Sequence, residues 1–396
     1  MRKNNPPPKI EILELTIEKI VPNGYGLAFV EGLTVFVSLA AIGDKLRVRI
    51  REKKGKIAFA EIIDVLTPSP KRITPECQYF GVCGGCDFQQ MTYEAQLAGK
   101  ISIIRDCLSR IGKINFEGEI PIIASSSPYG YRSRAQWHTD TRAKKIGYFK
   151  RFSHNIVDVE YCPILAPPLQ KTLTNFRENL RWEEFWSQDV KIEAANAGEN
   201  ISIYSTEIIE PTREISFEAG ENRYFYNAES FFQGNPFLVE KLIALAIGDA
   251  MGENALDLFC GVGLFTLPLA GKFKKVYGIE ANGKAIEFAQ KNTDNARISN
   301  VEFFTENVGE WLIENSPQNI DFVLLDPPRT GAERETIDAL LKLKPTQISY
   351  VSCDPATLAR DLRLLLESYS LESITALDLF PQTHHVETVV RLKLNN

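Results

Sequence analysis

The chain has 396 residues, of which 44% are hydrophobic and 24% are charged, and its formal net charge is −6. This length exceeds one ordinary domain, and the composition is typical of a soluble globular protein with two or three domains. No apolar run reaches the roughly 18 residues of a membrane span, and the first residues lack an apolar signal core. We therefore expect no membrane association and a cytoplasmic location.

The acidic net charge argues only weakly against a nucleic-acid partner, which would favour a basic surface. Charge is distributed unevenly, because Lys and Arg outnumber Asp and Glu within residues 121–162, whereas the reverse holds within residues 163–230. The total charge therefore does not exclude a local basic face that binds RNA.

Residues 9–66 alternate apolar and polar side chains, with turns at Asn23-Gly24 and Gly43-Asp44. Short strands at this spacing predict a small β-barrel. The patterns Gly24-Tyr-Gly26 and Val35-Phe-Val37 resemble those of the TRAM module, an OB-like barrel that binds RNA. The alternative is a structural barrel that binds no ligand.

Helical periodicity predicts one helix over residues 91–112, and residues 119–228 are predicted as strands joined by long loops. Residues 236–248 are predicted as a further helix. From residue 255 onward, short apolar runs alternate with helical segments. This alternation predicts an open, doubly wound sheet whose ligand binds at the carboxyl ends of the strands.

Together these patterns predict a multidomain α/β protein. We place an OB-like β-barrel at residues 1–68, a central β-rich domain at residues 69–228 and a doubly wound, Rossmann-like domain at residues 229–396.

Cys77, Cys83 and Cys86 are close together in the sequence, and Cys162 is distant. The chain has seven cysteines, an odd number that argues against a disulfide framework. Four thiols fit either a tetrahedral zinc ion or an iron–sulfur cluster, and unligated thiols are a third possibility. Spacing alone does not decide among them, although the short loop with two glycines between Cys83 and Cys86 suits a bulky cluster.

A glycine-containing loop runs from Asp257 to Gly263, between a predicted strand and a helix. Gly261 and Gly263 let the backbone approach a ligand closely where a Cβ atom would clash. Glu280, at the end of the next strand, can accept hydrogen bonds from ribose hydroxyls. NAD-dependent dehydrogenases place an acidic residue similarly. The loop and this glutamate therefore indicate a nucleotide-like cofactor, and a tight structural turn is the alternative.

Cys353 follows an apolar strand predicted over residues 348–352 and precedes an Asp354-Pro355 turn and a helix. The helix amides at this end favour a thiolate, so Cys353 is a candidate nucleophile. Glu387 lies in an otherwise apolar strand, where burial would raise its pKa into the range of a general base. The alternatives are a small core cysteine and a buried ion pair.

Asp326-Pro-Pro-Arg329 ends another predicted strand. It superficially resembles the Asp-Pro-Pro-aromatic loop of the amino-methylating N-methyltransferases, but Arg329 replaces the aromatic residue and removes the stacking face. His384 and His385 are rival candidates for the base.

These four C-terminal segments together resemble the RNA uracil-C5 methyltransferases, which form 5-methyluridine. The resemblance implies that Cys353 adds to the uracil ring, that Glu387 removes the C5 proton and that His385 supports the site. It also implies S-adenosylmethionine as the cofactor. The residues matched to the cofactor-binding positions of the family are Gln233, Phe259, Glu280, Asn307 and Asp326.

The cysteine spacing and the Tyr161-Cys162-Pro163 context resemble the [4Fe-4S] sites of many members of this family. The resemblance therefore implies a cluster held by Cys77, Cys83, Cys86 and Cys162. Arg132 and Arg134, in a basic segment with interleaved aromatic residues, are predicted to contact RNA or to support the cluster.

Family members with both the barrel and the cluster act mostly on 23S ribosomal RNA, so this substrate is preferred over transfer RNA. We also expect a monomer. Two other classes remain open: an N-methyltransferase that does not depend on Cys353, and a non-catalytic RNA-binding or redox-sensing protein.

Overall fold

The computed structural model describes residues 11–207, 212–315 and 318–395. Six strands form the N-terminal sheet: β1 (Ile12–Thr16), β2 (Lys19–Val21), β3 (Tyr25–Val30), β4 (Leu33–Val37), β5 (Lys45–Lys54) and β6 (Ile57–Thr67). Their order is β1-β5-β6-β4-β3-β2. One face of the sheet buries an apolar cluster that includes Leu15, Val35 and Leu46.

The predicted barrel is not closed, since β1 and β2 are the two edges of the sheet within the described ranges. Only two residues separate these strands, and their amides bond elsewhere. The Ile17 N–H donates to the Asp44 carbonyl (3.0 Å), and the Glu18 N–H donates to the Leu27 carbonyl (2.8 Å). The chain therefore turns from one edge strand to the other without pairing them.

Helix α1 (Tyr93–Cys107) ends in a π-helical turn (Leu108–Gly112), and strand β7 (Ile122–Ile123) follows. Thr92 caps α1, because its hydroxyl accepts the Ala95 N–H (3.3 Å). Ile103 and Ile104 pack in the same apolar cluster as the C-terminal domain, and β7 joins the C-terminal sheet. Residues 93–123, which the prediction includes in the central domain, thus pack against the C-terminal one.

Five antiparallel strands form the central sheet: β8 (Arg134–Asp140), β9 (Lys145–Phe149), β10 (Ile156–Asp158), β11 (Lys191–Ala197) and β12 (Asn200–Tyr204). Their order is β10-β9-β8-β11-β12. Helix α2 (Pro167–Asn179) packs on this sheet through Leu169 and Leu173. The prediction of strands and loops alone missed this helix, because prolines that suggest a loop also fit the first turn of a helix.

Two further strands, β13 (Ile215–Ala219) and β14 (Asn222–Tyr226), form a hairpin that packs against the C-terminal domain. The elements of that domain are α3 (Val239–Ile247), β15 (Gly252–Leu258), α4 (Thr266–Ala270), β16 (Phe273–Ile279), α5 (Gly283–Asn295), β17 (Val301–Phe304), α6 (Val308–Asn315), β18 (Phe322–Leu325), α7 (Arg334–Leu343), β19 (Gln347–Ser352), α8 (Pro355–Leu365), β20 (Tyr369–Leu377) and β21 (Glu387–Leu394).

The C-terminal sheet has the order β17-β16-β15-β18-β19-β21-β20-β7. Its first five strands are parallel, and β21 runs antiparallel between β19 and β20. Two apolar clusters include buried residues from its strands. The predicted doubly wound, Rossmann-like architecture is confirmed. Among the described residues, no helix is both long enough and apolar enough to cross a membrane.

A fully buried ion pair joins Lys100 of α1 to Asp378, which follows β20. The Lys100 ammonium also donates a hydrogen bond to the Phe380 carbonyl (2.9 Å). Nearby, the Gln96 side chain forms two 3.0 Å hydrogen bonds with Gln382, one to its backbone N–H and one to its side-chain oxygen. These contacts fix the loop that leads into β21.

We expect Lys100→Met to lower the free energy of unfolding by about 3–5 kcal/mol, because it leaves the Asp378 carboxylate buried without its cation. Denaturant unfolding measures this loss. Lys19→Met is the matched control, since the partly exposed Lys19 ammonium of β2 pairs with Asp106 of α1 (2.6 Å), which also contacts Arg110. The control is expected to lose less than about 1 kcal/mol of unfolding free energy. Equal losses in the two variants would contradict a stabilising role of the buried Lys100–Asp378 pair.

Candidate active site

The carboxyl ends of the parallel strands bring the predicted cofactor residues together. The register pairs Leu258 of β15 with Ile279 of β16 and with Leu325 of β18. The residues that follow these three, Phe259, Glu280 and Asp326, therefore lie side by side at one edge of the sheet. This edge is where ligands bind in doubly wound folds.

The glycine-containing loop adopts left-handed backbone conformations at three positions. The φ angles are 64° at Phe259, 55° at Gly261 and 87° at Gly263. A Cβ atom at Gly261 would meet nothing within 4 Å, so the backbone angle, rather than space inside the protein, favours glycine there. The Gly261 N–H donates to the Glu280 carboxylate (3.2 Å), which holds the loop over the end of β16.

The β13–β14 hairpin supports the same loop from outside. The Asn292 side-chain amide of α5 donates to the carbonyls of Val262 (2.9 Å) and Phe225 (3.1 Å). The Tyr224 hydroxyl donates to the Leu264 carbonyl (3.0 Å). The loop is thus held in place by the surrounding protein.

Asp257 lies fully buried beneath this loop and accepts a hydrogen bond from the Thr266 hydroxyl. Burial raises the pKa of Asp257 to about 7, and the negative charges of Asp326 and Glu280 add to the shift. Burial also raises the pKa of Asp326 to about 7. Three carboxyl groups therefore meet at this edge of the sheet.

Asn307 lies at the start of α6, after β17. Its side-chain oxygen accepts the N–H groups of Gly309 (2.8 Å) and Glu310 (3.2 Å). Asn307 therefore caps this helix, whatever contact its amide group makes with a ligand.

Cys353 and Glu387 are brought together by strand register. In the antiparallel pair β19 and β21, Ser352 lies opposite Thr388. Continued by one step beyond this last pair, the register brings Cys353 close to Glu387, whose negative charge acts on the Cys353 thiol. The Asp354 carboxylate accepts the N–H groups of Ala356 (2.8 Å) and Thr357 (3.0 Å), so Cys353 directly precedes the capped N-terminus of α8.

Burial controls the protonation of this pair. Burial raises the pKa of the Cys353 thiol to about 12; the Glu387 carboxylate adds to the shift, and the Arg329 guanidinium opposes it. Burial raises the pKa of Glu387 well above its usual range; Asp326 adds to this shift, and Arg329 again opposes it. Among the described residues, the Glu387 Oε1 atom is buried without a hydrogen-bond partner. It is free for a ligand.

A cleft of about 460 Å³ opens between the central and C-terminal domains, and its lining includes Arg329, whose charge acts on both Cys353 and Glu387. Its lining also includes Gln233, His385, Arg134 and Phe231. Gln233 thus faces the cleft from the segment that follows the β13–β14 hairpin, and Arg329 faces it from the loop after β18.

Neither of the two histidines before Glu387 has the properties of a good general base. Burial lowers the pKa of His385 to about 3, with a contribution from His384, so this imidazole is neutral and weakly basic at pH 7. His384 is engaged by the Asp87 carboxylate (2.5 Å from Nδ1 to Oδ2). Glu387 is therefore the better candidate base.

Cys77, Cys83, Cys86 and Cys162 line one cavity in the central domain. Burial raises the pKa of the Cys162 thiol to about 11, and the Arg132 guanidinium opposes this shift. Within residues 11–207, 212–315 and 318–395, no group of three or more His, Cys, Asp or Glu side chains is arranged to hold a metal ion.

The guanidinium groups of Arg132 and Arg134 are turned toward the protein. Arg132 Nε donates to the Arg134 carbonyl (3.0 Å). Arg134 donates to the carbonyls of Ser230 (2.7 Å) and Ala228 (2.8 Å). Both residues thus join the central sheet to neighbouring segments, and Arg132 also lines the cysteine cavity.

Two residues were not assigned a role from the sequence. Arg329 was noted only as the replacement of an aromatic residue, although it is the cation that favours the ionised forms of Cys353 and Glu387. No role is predicted from the sequence for Lys100, which lies in a largely apolar helix. A polar stripe at positions 96 and 100 of α1 was the available signal, because polar residues spaced by four share one helix face.

The doubly wound sheet and the glycine-containing loop at the carboxyl ends of its strands are the architecture of a protein that binds a nucleotide-like cofactor. The sequence profile of the tRNA (uracil-5-)-methyltransferase family matches residues 132–395, about two thirds of the chain. The chain therefore belongs to this family, and it is an RNA (uracil-C5-)-methyltransferase.

Similar proteins cover the whole chain. An uncharacterized RNA methyltransferase of Thermosynechococcus vestitus is 31% identical over 96% of this chain and 97% of its own length. One of Halalkalibacterium halodurans is 30% identical over the full length of both chains. The solved structure of the Pyrococcus abyssi tRNA (uracil-54, C5)-methyltransferase in complex with S-adenosyl-L-homocysteine is 26% identical. It covers 96% of this chain and 100% of its own, with a TM-score of 0.75.

The raised pKa of Asp257 predicts a pH-dependent stability difference. A buried acid whose pKa rises to about 7 stabilises the folded state below its unfolded pKa, and this contribution is lost as pH rises through 7. Between pH 5 and pH 8, wild type is expected to lose about 3 kcal/mol relative to Asp257→Asn. Urea unfolding of both proteins at the two pH values measures this, and a constant difference would contradict it.

Proposed function

We propose that this enzyme transfers a methyl group from S-adenosylmethionine to C5 of a uridine in RNA, with Cys353 as the nucleophile and Glu387 as the base. The observation that carries the proposal is the register that sets these two side chains opposite each other at the ligand edge of the sheet. The chemistry needs one group to attack C6 and another to remove the C5 proton.

The Cys353 thiolate forms a bond to C6, and the electrons of the C5=C6 bond move toward C5 and the carbonyl oxygen. S-adenosylmethionine supplies the methyl group that C5 then takes up. Glu387 removes the proton from C5, the C5=C6 bond re-forms, and the bond between Cys353 and C6 breaks. Because burial favours the protonated forms of Cys353 and Glu387, each group must first release its proton to solvent, and Arg329 contributes by favouring both ionised forms.

The residues at the sheet edge suit this cofactor. Glu280 presents a carboxylate to ribose hydroxyls, and Gly261 leaves open space above the loop. Ionised carboxyl groups of Asp257 and Asp326 at the same edge favour a positively charged sulfonium electrostatically. Phe259, Gly263 and Asn307 complete the proposed cofactor site.

Gln233 and Arg329 suit the uracil itself, since both line the cleft and the Arg329 charge acts on Cys353. The Gln233 amide can donate to a uracil carbonyl and stabilise the negative charge that develops there. The base must enter this cleft from outside its stack, because C5 and C6 are attacked on the faces of the ring.

We expect methyl transfer from labelled S-adenosylmethionine to give 5-methyluridine in wild type and none in Cys353→Ala. Glu387→Gln is expected to form the Cys353 adduct and fail to release it, since the C5 proton stays in place. Denaturing gels detect the covalent protein–RNA complex, and nucleoside digestion identifies the product. Methylated adenosine or cytidine, or activity that survives Cys353→Ala, would contradict the mechanism.

The preferred substrate is a uridine of 23S ribosomal RNA, by resemblance to family members that combine an N-terminal RNA-binding module with four such cysteines. Transfer RNA is the second candidate, because the Pyrococcus abyssi enzyme named for tRNA uracil-54 matches the same layout over 96% of this chain. Layout therefore does not separate the two. Assays with unmodified 23S ribosomal RNA and with unmodified bulk transfer RNA do so directly.

We further propose that Cys77, Cys83, Cys86 and Cys162 hold a [4Fe-4S] cluster. Support comes from the shared cavity of the four thiols, which includes apolar and aromatic side chains and the Arg132 guanidinium. Because a [4Fe-4S] cluster is about as large as a side chain, the thiols that bind it surround a cavity instead of converging on one point. No step of the methyl transfer needs electrons, and the cluster would join residues 77–86 to residue 162.

Cys86→Ser is expected to abolish most of the bound iron, which should be about four atoms per chain in anaerobically prepared wild type. Cys107→Ser is the matched control, because Cys107 is buried in the apolar cluster beside α8. Iron and sulfide analysis gives the result independently of activity. Iron retained by Cys86→Ser, or zinc in place of iron in wild type, would overturn the assignment.

A further inference from the structure

We propose that the turn between β9 and β10, residues 150–155, binds single-stranded RNA beside the target uridine, with Phe152 as the stacking surface for a base. This inference rests on RNA being the substrate of the proposed reaction. It assigns a role to an exposed segment outside the catalytic residues.

The turn leaves the central sheet at the end that faces the cleft. The register of β8 and β9 pairs His138 with Gly147. The pairing with β8 ends there, and two positions further along Phe149 instead contacts Gly84, which lines the cleft. The Phe149 ring stacks on the His138 ring, with centroids 3.8 Å apart.

Hydrogen bonds fix the turn to the wall of the cleft. The Gly84 N–H donates to the Phe149 carbonyl (2.9 Å), and the Arg151 N–H donates to the Val82 carbonyl (2.9 Å). The Arg151 guanidinium also donates to the Cys86 carbonyl (3.0 Å). Because Gly84 lines the cleft, the turn and the cleft wall form one connected structure.

The exposure and the backbone conformation of Phe152 are both unfavourable for a phenylalanine that binds no ligand. Its side chain is 81% exposed, and its φ angle of 56° lies in the left-handed region that bulky residues avoid. Glycine or asparagine would fit this backbone better, and a polar side chain would suit the exposure. The Arg151 guanidinium lies 5.4 Å from the ring centroid, which leaves much of the ring open to solvent.

The chemistry of the turn matches single-stranded RNA. Proteins bind such strands with aromatic faces on which bases stack and with cations that contact phosphates. The turn offers Phe152 as the face and the exposed Lys150 as the cation. The guanidinium groups of Arg132, Arg134 and Arg151 all donate to backbone carbonyls, so Lys150 is the cation of the turn that is open to a phosphate.

The test is RNA binding by the full-length protein, measured by filter binding without cofactor. Phe152→Ala is expected to weaken binding about tenfold, as loss of one stacked base does, while Phe152→Trp retains it. Trp186→Ala is the matched control, because Trp186 is 91% exposed. It lies near the opposite end of β8, where the Thr141 hydroxyl donates to the Ser187 carbonyl (3.1 Å). The control is expected to bind like wild type.

A short single-stranded RNA with a fluorescent adenine analogue gives a second readout, since stacking on Phe152 quenches the analogue and Phe152→Ala removes the quenching. Lys150→Gln is expected to lower the slope of log affinity against log salt by about 0.7. Unchanged affinity in Phe152→Ala, or an equal loss in Trp186→Ala, would overturn the inference. These results do not depend on methylation, so wild type that binds RNA without forming 5-methyluridine would refute the proposed reaction alone.

Discussion

The antiparallel insertion of β21 between β19 and β20 is the constraint on which the catalytic pair depends. The parallel strands alone place cofactor residues at one edge of the sheet, because each strand ends there. β21 runs the other way and begins at that edge with Glu387. Its register with β19 then sets this carboxyl group opposite Cys353, although 34 positions separate the two in the chain. A shift of one residue would turn Glu387 to the other face of the sheet.

Burial raises the pKa values on which the reactivity of the site depends, and it also lowers the stability of the fold. Carboxyl groups of Asp257, Asp326 and Glu387 share a dry region in which ionisation is unfavourable, so each pKa is raised. A glutamate with a raised pKa is a stronger base, and a buried thiol needs a nearby cation before it ionises. Arg329, on a rigid Pro-Pro turn, supplies that cation from the substrate side of the cleft.

Helix α1 connects the N-terminal sheet to the C-terminal domain. It packs beside Ile20 of the N-terminal sheet and against α8, and its polar side chains hold the loop before β21. Along that loop, Lys100 binds Asp378, Gln96 binds Gln382, and the Tyr131 hydroxyl donates to the Pro381 carbonyl (2.9 Å). The position of Glu387 therefore depends on residues far from it in sequence. The same loop lines the cleft, so the contacts that position Glu387 also determine the shape of the cleft.

The sequence by itself determined the doubly wound domain and pointed to the candidate catalytic residues, because strand alternation and the motifs around Gly261, Asp326 and Cys353 are local patterns. The strands and helices from β15 to α8 alternate as predicted for the chain from residue 255 onward. The open N-terminal sheet, the docking of α1 and the inward hydrogen bonds of Arg134 were decided only by the tertiary structure. Edge pairing, helix docking and the choice between a phosphate and a backbone carbonyl depend on partners distant in sequence, and local patterns carry no information about those partners.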